Sequence, residues 1–153
     1  MGYCRSLNRK IRTALTLSRG DWGVLVKAWI WLLYIDLLLR SRPFPRVREF
    51  VANQPKVLPE PPPSQAWAII RRYQRFVTLA ARNHLYPMEC LRQALTLKKM
   101  LVGQGVATEL RFGVRKEAKH LLAHAWLEYE GQSIELTHGN EHFETLTTLE
   151  DRQ

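Results

Sequence analysis

The sequence is poor in cysteine, with only Cys4 and Cys90 among 153 residues. The two lie far apart, and Cys4 falls in a basic N-terminal stretch, so we expect no structural disulfide and a free thiol at Cys90. The start of the sequence also lacks a signal-peptide cleavage pattern. Both absences favour a reducing cytoplasm as the location of the protein.

Acidic residues are scarce, with 14 Asp and Glu against 23 Lys and Arg. The shortage is local, because residues 1–48 contain 10 basic and 2 acidic residues whereas residues 88–153 contain 8 and 10. A basic excess of this kind suits nucleic acid, an anionic membrane or an acidic partner. Its confinement to the N-terminal region indicates an attachment surface rather than a phosphate-binding active site.

The chain has no internal repeat, and its hydrophobic (46%) and charged (24%) fractions are close to globular averages. These values exclude a wholly disordered, collagen-like or disulfide-stapled protein. The length suits a single domain over residues 1–153. Within it we expect residues 1–63 to form an N-terminal helical region that ends in a proline-rich connector, and residues 64–153 to carry the chemistry.

The longest apolar run, residues 22–39, contains the two charged residues Lys27 and Asp36. Each charge would cost roughly 2.5–3.5 kcal/mol near the centre of a bilayer. The run therefore predicts a buried helix at about residues 21–41 rather than a membrane span, with Asp21 accepting hydrogen bonds from amides at its start. Contact with a membrane surface stays open.

Apolar residues at spacings of three and four predict two further helices. Ser64 is expected to cap the first helix. The arginines of this helix form either a solvated face or a partner-binding face. They are Arg71, Arg72, Arg75 and Arg82. Pro87 fits the first turn of the second helix, which contains Cys90 and which Gly103 should end.

After the helices the apolar pattern takes a period of two and predicts three strands, at Thr108–Arg115, Ala123–Glu130 and Gln132–Thr137. Glu130-Gly131 fits a two-residue hairpin turn between the last two. Helices followed by antiparallel strands indicate an α+β fold with a small antiparallel sheet.

Cys90 is the candidate nucleophile. A thiol at a helix start meets free backbone amides and the positive end of the helix dipole, which stabilise a thiolate. The alternative is a small apolar core residue, since free cysteines are often buried. His124 favours the first interpretation, because its strand would hold an imidazole able to take the thiol proton and protonate the leaving amine.

The other candidate histidines, His120, His138 and His142, are expected in loops or the tail without comparable support. His120 and His124 have the i,i+4 spacing of a helical metal pair, but that spacing loses its meaning on a loop and a strand. We therefore expect no metal and no cofactor.

The hairpin register supplies a third group. With Glu130-Gly131 as the turn, His124 pairs with Thr137, and Glu135 projects on the same face as His124. Glu135 could then accept the imidazole N–H. An exposed strand glutamate is the alternative, and a one-residue bulge would change the assignment.

Four segments together resemble a known family: Glu89–Leu95, Gly103–Val106, Leu110–Val114 and His124–Glu128 with Gly131. They are similar to the transglutaminase-like leader peptidases of lasso-peptide biosynthesis, of the microcin-processing C-terminal-domain type. Members of that family remove a leader from a ribosomally made precursor before a separate cyclase closes the ring.

The resemblance implies a transglutaminase-like, papain-like cysteine peptidase core in residues 64–153, with Cys90 and His124 as catalytic residues. The acid of the family is usually an aspartate about a dozen residues after the histidine. Leu136 has that spacing here and Glu135 precedes it, so the sequence departs from the family at the acid.

Residues 1–87 show no winged-helix strand pattern, so we expect a stand-alone protease subunit. Its expected partners are the precursor peptide, a separate leader-recognition protein and, as a further candidate, the lasso cyclase; no nucleic acid is expected. Two alternatives stay open. The same acyl-enzyme could be transferred to an amine, or the protein could be a noncatalytic basic module that binds nucleic acid or an anionic membrane through residues 1–48.

Overall fold

The computed structural model describes residues 18–53, 58–117, 120–136 and 144–145. In these ranges the helices are α1 (Arg19–Ser41), α2 (Phe44–Ala52), α3 (Pro63–Arg82) and α4 (Cys90–Val102). The strands are β1 (Glu109–Glu117), β2 (His120–Tyr129), β3 (Gln132–Ile134) and β4 (Glu144–Thr145). They form an antiparallel sheet in the order β3-β2-β1-β4. The predicted α+β fold is confirmed.

Helix α1 begins with a capping box. The Ser18 Oγ accepts a hydrogen bond from the Asp21 backbone N–H (3.1 Å), and the Asp21 carboxylate accepts one from the Ser18 backbone N–H (3.3 Å). Such a reciprocal pair satisfies amides that a helix start leaves free. The helix predicted at about 21–41 is confirmed, and Asp21 accepts an amide hydrogen bond at its start as predicted, although the helix begins at Arg19 with Ser18 as its cap.

Only one side of α1 is buried. Ala28, Leu32 and Ile35 are fully enclosed, whereas Val26 and Ile30 on the opposite side are 50% and 56% exposed. The expectation of a buried helix is therefore correct for the inner side and wrong for the outer one. By length and composition alone, α1 could also cross a membrane.

The sequence pattern does not predict α2, which buries Val47 and Val51. Carbonyl oxygens at the end of α2, those of Phe50 and Asn53, accept hydrogen bonds from the Lys99 Nζ of α4 (2.9 and 2.8 Å). A helix this short is marginal in isolation and depends on such tertiary contacts, which explains why local pattern misses it.

Helices α3 and α4 start at other residues than predicted. Helix α3 begins at Pro63 without a side-chain cap, so Ser64 does not cap it; a proline suits a first turn because the missing amide needs no partner there. Helix α4 begins at Cys90, so Pro87 precedes the helix. Gly103 ends α4 as predicted.

The hairpin between β2 and β3 turns at Glu130-Gly131 as predicted. Both residues have positive φ angles, 50° and 74°, which a tight turn between twisted strands favours. Strand β2 starts at His120, so the expectation of a loop there is wrong. Thr137, His138 and His142 lie outside the described residues.

The two faces of the sheet differ. Leu127 and Tyr129 of β2 join the main core with residues of α1, α3 and α4. Because side chains alternate along a strand, His124 and Trp126 lie on the other face. A second, smaller core joins α1, α2 and α4. The helical layer thus fixes one face of the sheet, and the candidate histidine lies on the opposite one.

Candidate active site

Cys90 is the first residue of α4 and is half-buried. The side chain of Glu89, the preceding residue, makes no capping hydrogen bond and pairs with Arg92 instead (3.0 Å). Backbone amides of the first turn are therefore not occupied by a side-chain cap. Uncapped N–H donors beside a thiol suit a nucleophile and a developing oxyanion.

Asp36 of α1 anchors the start of α4. Its carboxylate accepts hydrogen bonds from the Arg92 Nε (2.6 Å) and the Arg40 Nε (2.8 Å), and only 4% of its side chain is exposed. Burial raises the pKa of Asp36, but the hydrogen bonds and positive charges of the two arginines outweigh burial and hold the pKa below its usual value. Asp36 is thus ionised at neutral pH and fixes Arg92, two residues after Cys90.

Gln93 fixes the segment that leads into α4. Its side chain is buried, and its Nε2 donates a hydrogen bond to the Met88 carbonyl oxygen (2.6 Å). The Met88 side chain is itself part of the main core. The backbone on both sides of Cys90 is therefore held by buried contacts.

His124 and Glu135 lie together, as the hairpin register predicts. The Nε2 of His124 is 3.5 Å from the Oε2 of Glu135. The pairing of Leu127 with Ile134 and of Tyr129 with Gln132 contains no bulge, so Glu135 sits diagonally across from His124 on one face. The histidine side chain is 11% exposed and that of the glutamate is 50% exposed.

Neighbouring side chains restrict both members of this pair. The Ser133 Oγ donates a hydrogen bond to the Glu135 Oε1 (2.8 Å), and the Gln74 Nε2 of α3 donates one to the Glu135 carbonyl oxygen. The Trp126 ring stacks on the His124 imidazole, with ring centroids 5.8 Å apart and planes at 18°. A carboxylate and an imidazole held in this way can orient a proton-transfer group.

A charged network continues across the same face. The Glu128 carboxylate accepts hydrogen bonds from the Trp126 Nε1 (3.3 Å) and from the Arg111 Nε of β1 (2.9 Å). Trp126 therefore contacts the candidate histidine on one side and a cross-strand ion pair on the other.

The structure brings two of the three predicted site residues together. His124 and Glu135 form a pair, whereas α4, which starts at Cys90, packs against the face of β2 that carries Leu127. Among the described residues no hydrogen bond joins Cys90 to His124, so the catalytic roles of the three residues stay predictions. Across the described ranges, no group of three His, Cys, Asp or Glu side chains could hold a metal ion.

Pattern reasoning misses the residues that support the site. Ser133 shares the face of Glu135, so strand alternation could identify it. Gln74 and Gln93 act from helices through contacts to backbone carbonyls, and no spacing rule in the sequence indicates such contacts.

A protein-family model described as the transglutaminase-like superfamily matches residues 31–148. The match covers most of the chain and includes residues 31–41 of α1, all of α2, α3 and α4, and the sheet. Searches of curated proteins and of solved structures give no match.

Proposed function

The chain belongs to the transglutaminase-like superfamily, and we propose that it is a cysteine peptidase that removes the leader from a lasso-peptide precursor. The superfamily includes cysteine peptidases and acyltransferases. The observation that carries the proposal is the His124–Glu135 pair, an imidazole held beside a carboxylate in a chain whose residues 31–148 match the superfamily. The resemblance of Glu89–Leu95 and His124–Glu128 to lasso leader peptidases supports the choice of substrate.

In the proposed reaction the Cys90 sulfur attacks the carbonyl carbon of the scissile peptide bond, and the thiol proton passes to His124. The carbon–nitrogen bond then breaks, and His124 returns the proton to the leaving amine of the core peptide. The leader stays bound to Cys90 as a thioester. Water, deprotonated by His124, attacks the thioester and releases the leader with a new carboxylate.

We infer separate tasks for these residues within the proposed mechanism. The Nε2 of His124 is the nitrogen near Glu135, so the Nδ1 is the one that would exchange a proton with Cys90. Glu135 would orient the imidazole and stabilise its charged form. The backbone N–H of Cys90 is the candidate donor to the oxyanion, because the side chain of the N-cap residue Glu89 makes no hydrogen bond to the first turn of α4.

The test is leader release from the precursor in the presence of the recognition protein. Mass spectrometry detects the products. Cys90→Ala should abolish release, and the matched substitution at the other cysteine, Cys4→Ala, should leave the rate unchanged. Release by Cys90→Ala at the wild-type rate would falsify the mechanism.

The same assay separates hydrolysis from acyl transfer. Hydrolysis in heavy-oxygen water places one heavy oxygen atom in the new carboxylate of the leader, whereas transfer to an amine forms an isopeptide bond and incorporates none. If an isopeptide product forms without the cyclase, the function is acyl transfer and not leader removal.

The proposal includes delivery of the precursor by the separate recognition protein. Arg71 and Arg75 of α3 are exposed and are the candidate docking residues. Arg72 is less suitable, because it forms an ion pair with Asp21 at the start of α1 (2.9 Å). A second attachment point would raise the local concentration of the scissile bond and offset the entropy lost on ordering a flexible leader.

A further inference from the structure

The outer face of α1 is an exposed apolar strip. It consists of Trp22, Val26, Ile30, Tyr34 and Leu37, which are 42–56% exposed. Their spacings of four and three residues place them on one side of the helix over most of its length. Contiguous exposed apolar surface of this extent marks an interaction site more often than a solvated one.

The charges on α1 are sorted by sign. Both acidic residues are turned away from the strip and engaged, Asp21 with Arg72 and Asp36 with Arg40 and Arg92. The exposed residues Arg19 and Lys27 border the strip. The face that α1 offers to a partner is therefore apolar with a positive margin, which complements a surface that is apolar inside and negative outside.

A groove between α1 and α2 extends this face. Its lining includes the apolar side chains of Leu38, Val47 and Phe50 and the exposed cations Arg42 and Arg46. Tyr34 belongs both to the groove and to the strip, so the two surfaces are continuous. The groove places two more cations at the α2 end of the strip.

We propose that the outer face of α1 docks on the surface of a bilayer that contains anionic phospholipids. In this arrangement α1 lies along the interface, with its apolar strip in the acyl boundary and its cations near the headgroup phosphates. Trp22 and Tyr34, near the two ends of the strip, are side chains that favour this boundary. The helix does not cross the bilayer, because its inner side is packed in the core and Asp36 is bound to Arg92.

Vesicle flotation of the full chain tests the proposal. The protein should float with vesicles of equal parts phosphatidylcholine and phosphatidylglycerol, and more weakly with phosphatidylcholine alone. Ile30→Asn and Leu37→Asn should each weaken binding about tenfold, because each removes an apolar side chain that the bilayer would bury. Leu85→Asn is the matched control, since Leu85 is 71% exposed between α3 and α4 and should float like the wild type.

The electrostatic part has its own variant. Lys27→Gln should reduce binding to the anionic vesicles by about fivefold and leave binding to phosphatidylcholine unchanged. Raising the salt concentration should weaken wild-type binding to anionic vesicles in the same way. Melting temperatures of all four variants should match the wild type, since the substituted side chains are exposed.

Failure of the wild type to float with either vesicle would overturn the proposal. So would binding by Ile30→Asn and Leu37→Asn that equals the wild-type binding. If the wild type does not float but these variants lose partner-dependent leader release, the strip binds the recognition protein and not a bilayer. Leader release in a vesicle-free assay does not depend on flotation, so the proposed function and this one can fail separately.

Discussion

At the scale of residues, the site rests on two carboxylates with opposite surroundings. Asp36 is almost fully buried and is neutralised by two arginines, whereas Glu135 is half exposed and faces an imidazole. Removing the first should cost stability, because Arg92 and Arg40 lose the buried carboxylate that they share. Removing the second should cost turnover, because His124 loses the carboxylate beside it. It should cost little stability, because the backbone contacts of the hairpin stay intact.

Glu135→Gln should lower the turnover number for leader release by about tenfold, with a smaller effect on KM. The amide keeps the size of the side chain but loses the charge that stabilises the imidazolium form. Glu130→Gln in the adjacent turn is the control and should retain full activity. The pH dependence of the rate distinguishes the roles, since a merely structural contribution would leave the profile of Glu135→Gln superimposable on that of the wild type.

Asp36→Asn should lower the free energy of unfolding at neutral pH by about 3 kcal/mol. The folded state holds the pKa of Asp36 below its unfolded value of about 3.9, so the contribution is fully present above that value and is lost as the pH falls from there through the lower pKa of the folded state. Urea denaturation at several pH values measures this. The difference in the free energy of unfolding between the wild type and the variant should narrow below about pH 4. A difference that does not change with pH would contradict the role of an ionised Asp36.

At the scale of elements, the loop after α4 is fixed by a glycine. Gly105 has a φ of 77°, and a Cβ there would lie 2.7 Å from the Pro59 carbonyl oxygen. This contact joins the chain after α4 to the proline-rich connector before α3. The connector is therefore part of the packed structure at this point.

Gly105→Ala should destabilise the fold by about 2 kcal/mol, because it adds a left-handed backbone penalty to a steric clash. Gly103→Ala, two residues earlier, is the matched control. Its φ is −66° and its nearest new contact would be 3.4 Å away, so a change of about 0.5 kcal/mol or less is expected. Thermal unfolding measures the stability of both variants. Equal losses of stability would contradict a special backbone requirement at Gly105.

Sequence pattern was sufficient for elements with a long, regular period. It predicted α1, α3, α4 and the β2–β3 hairpin, and the hairpin register placed Glu135 beside His124. It failed where tertiary contacts decide whether a short element forms. Helix α2 depends on Lys99, and β4 has only two residues and pairs with a distant strand. The exposed side of α1 was also missed, because composition cannot tell which apolar side chains the core has room for.

At the scale of the whole molecule, different elements have different tasks in this account. The start of α4 and the sheet carry the proposed chemistry, while α1 and α3 carry the surfaces proposed for a bilayer and for the recognition protein. Separate surfaces should allow attachment to be weakened without loss of the reactive thiol.

Leader release should be slow on the precursor alone and faster when the recognition protein is added. Arg71→Glu and Arg75→Glu should reduce this acceleration, while alkylation of Cys90 by a small reagent stays at the wild-type rate. Arg48→Glu, exposed on α2 rather than on α3, is the control. Steady-state rates across precursor concentrations measure the effect, and equal rates with and without the recognition protein would exclude delivery in trans.

The central claim, that Cys90 carries the leader as a thioester, is tested most directly by acid quenching during turnover. Peptide mapping by mass spectrometry should then find the mass of the leader acyl group on the Cys90 peptide. His124→Ala should show no such adduct, because the thiol proton has no acceptor. Continued leader release by the wild type, with Cys90 unmodified at every quench time and with Cys90→Ala equally active, would contradict the account.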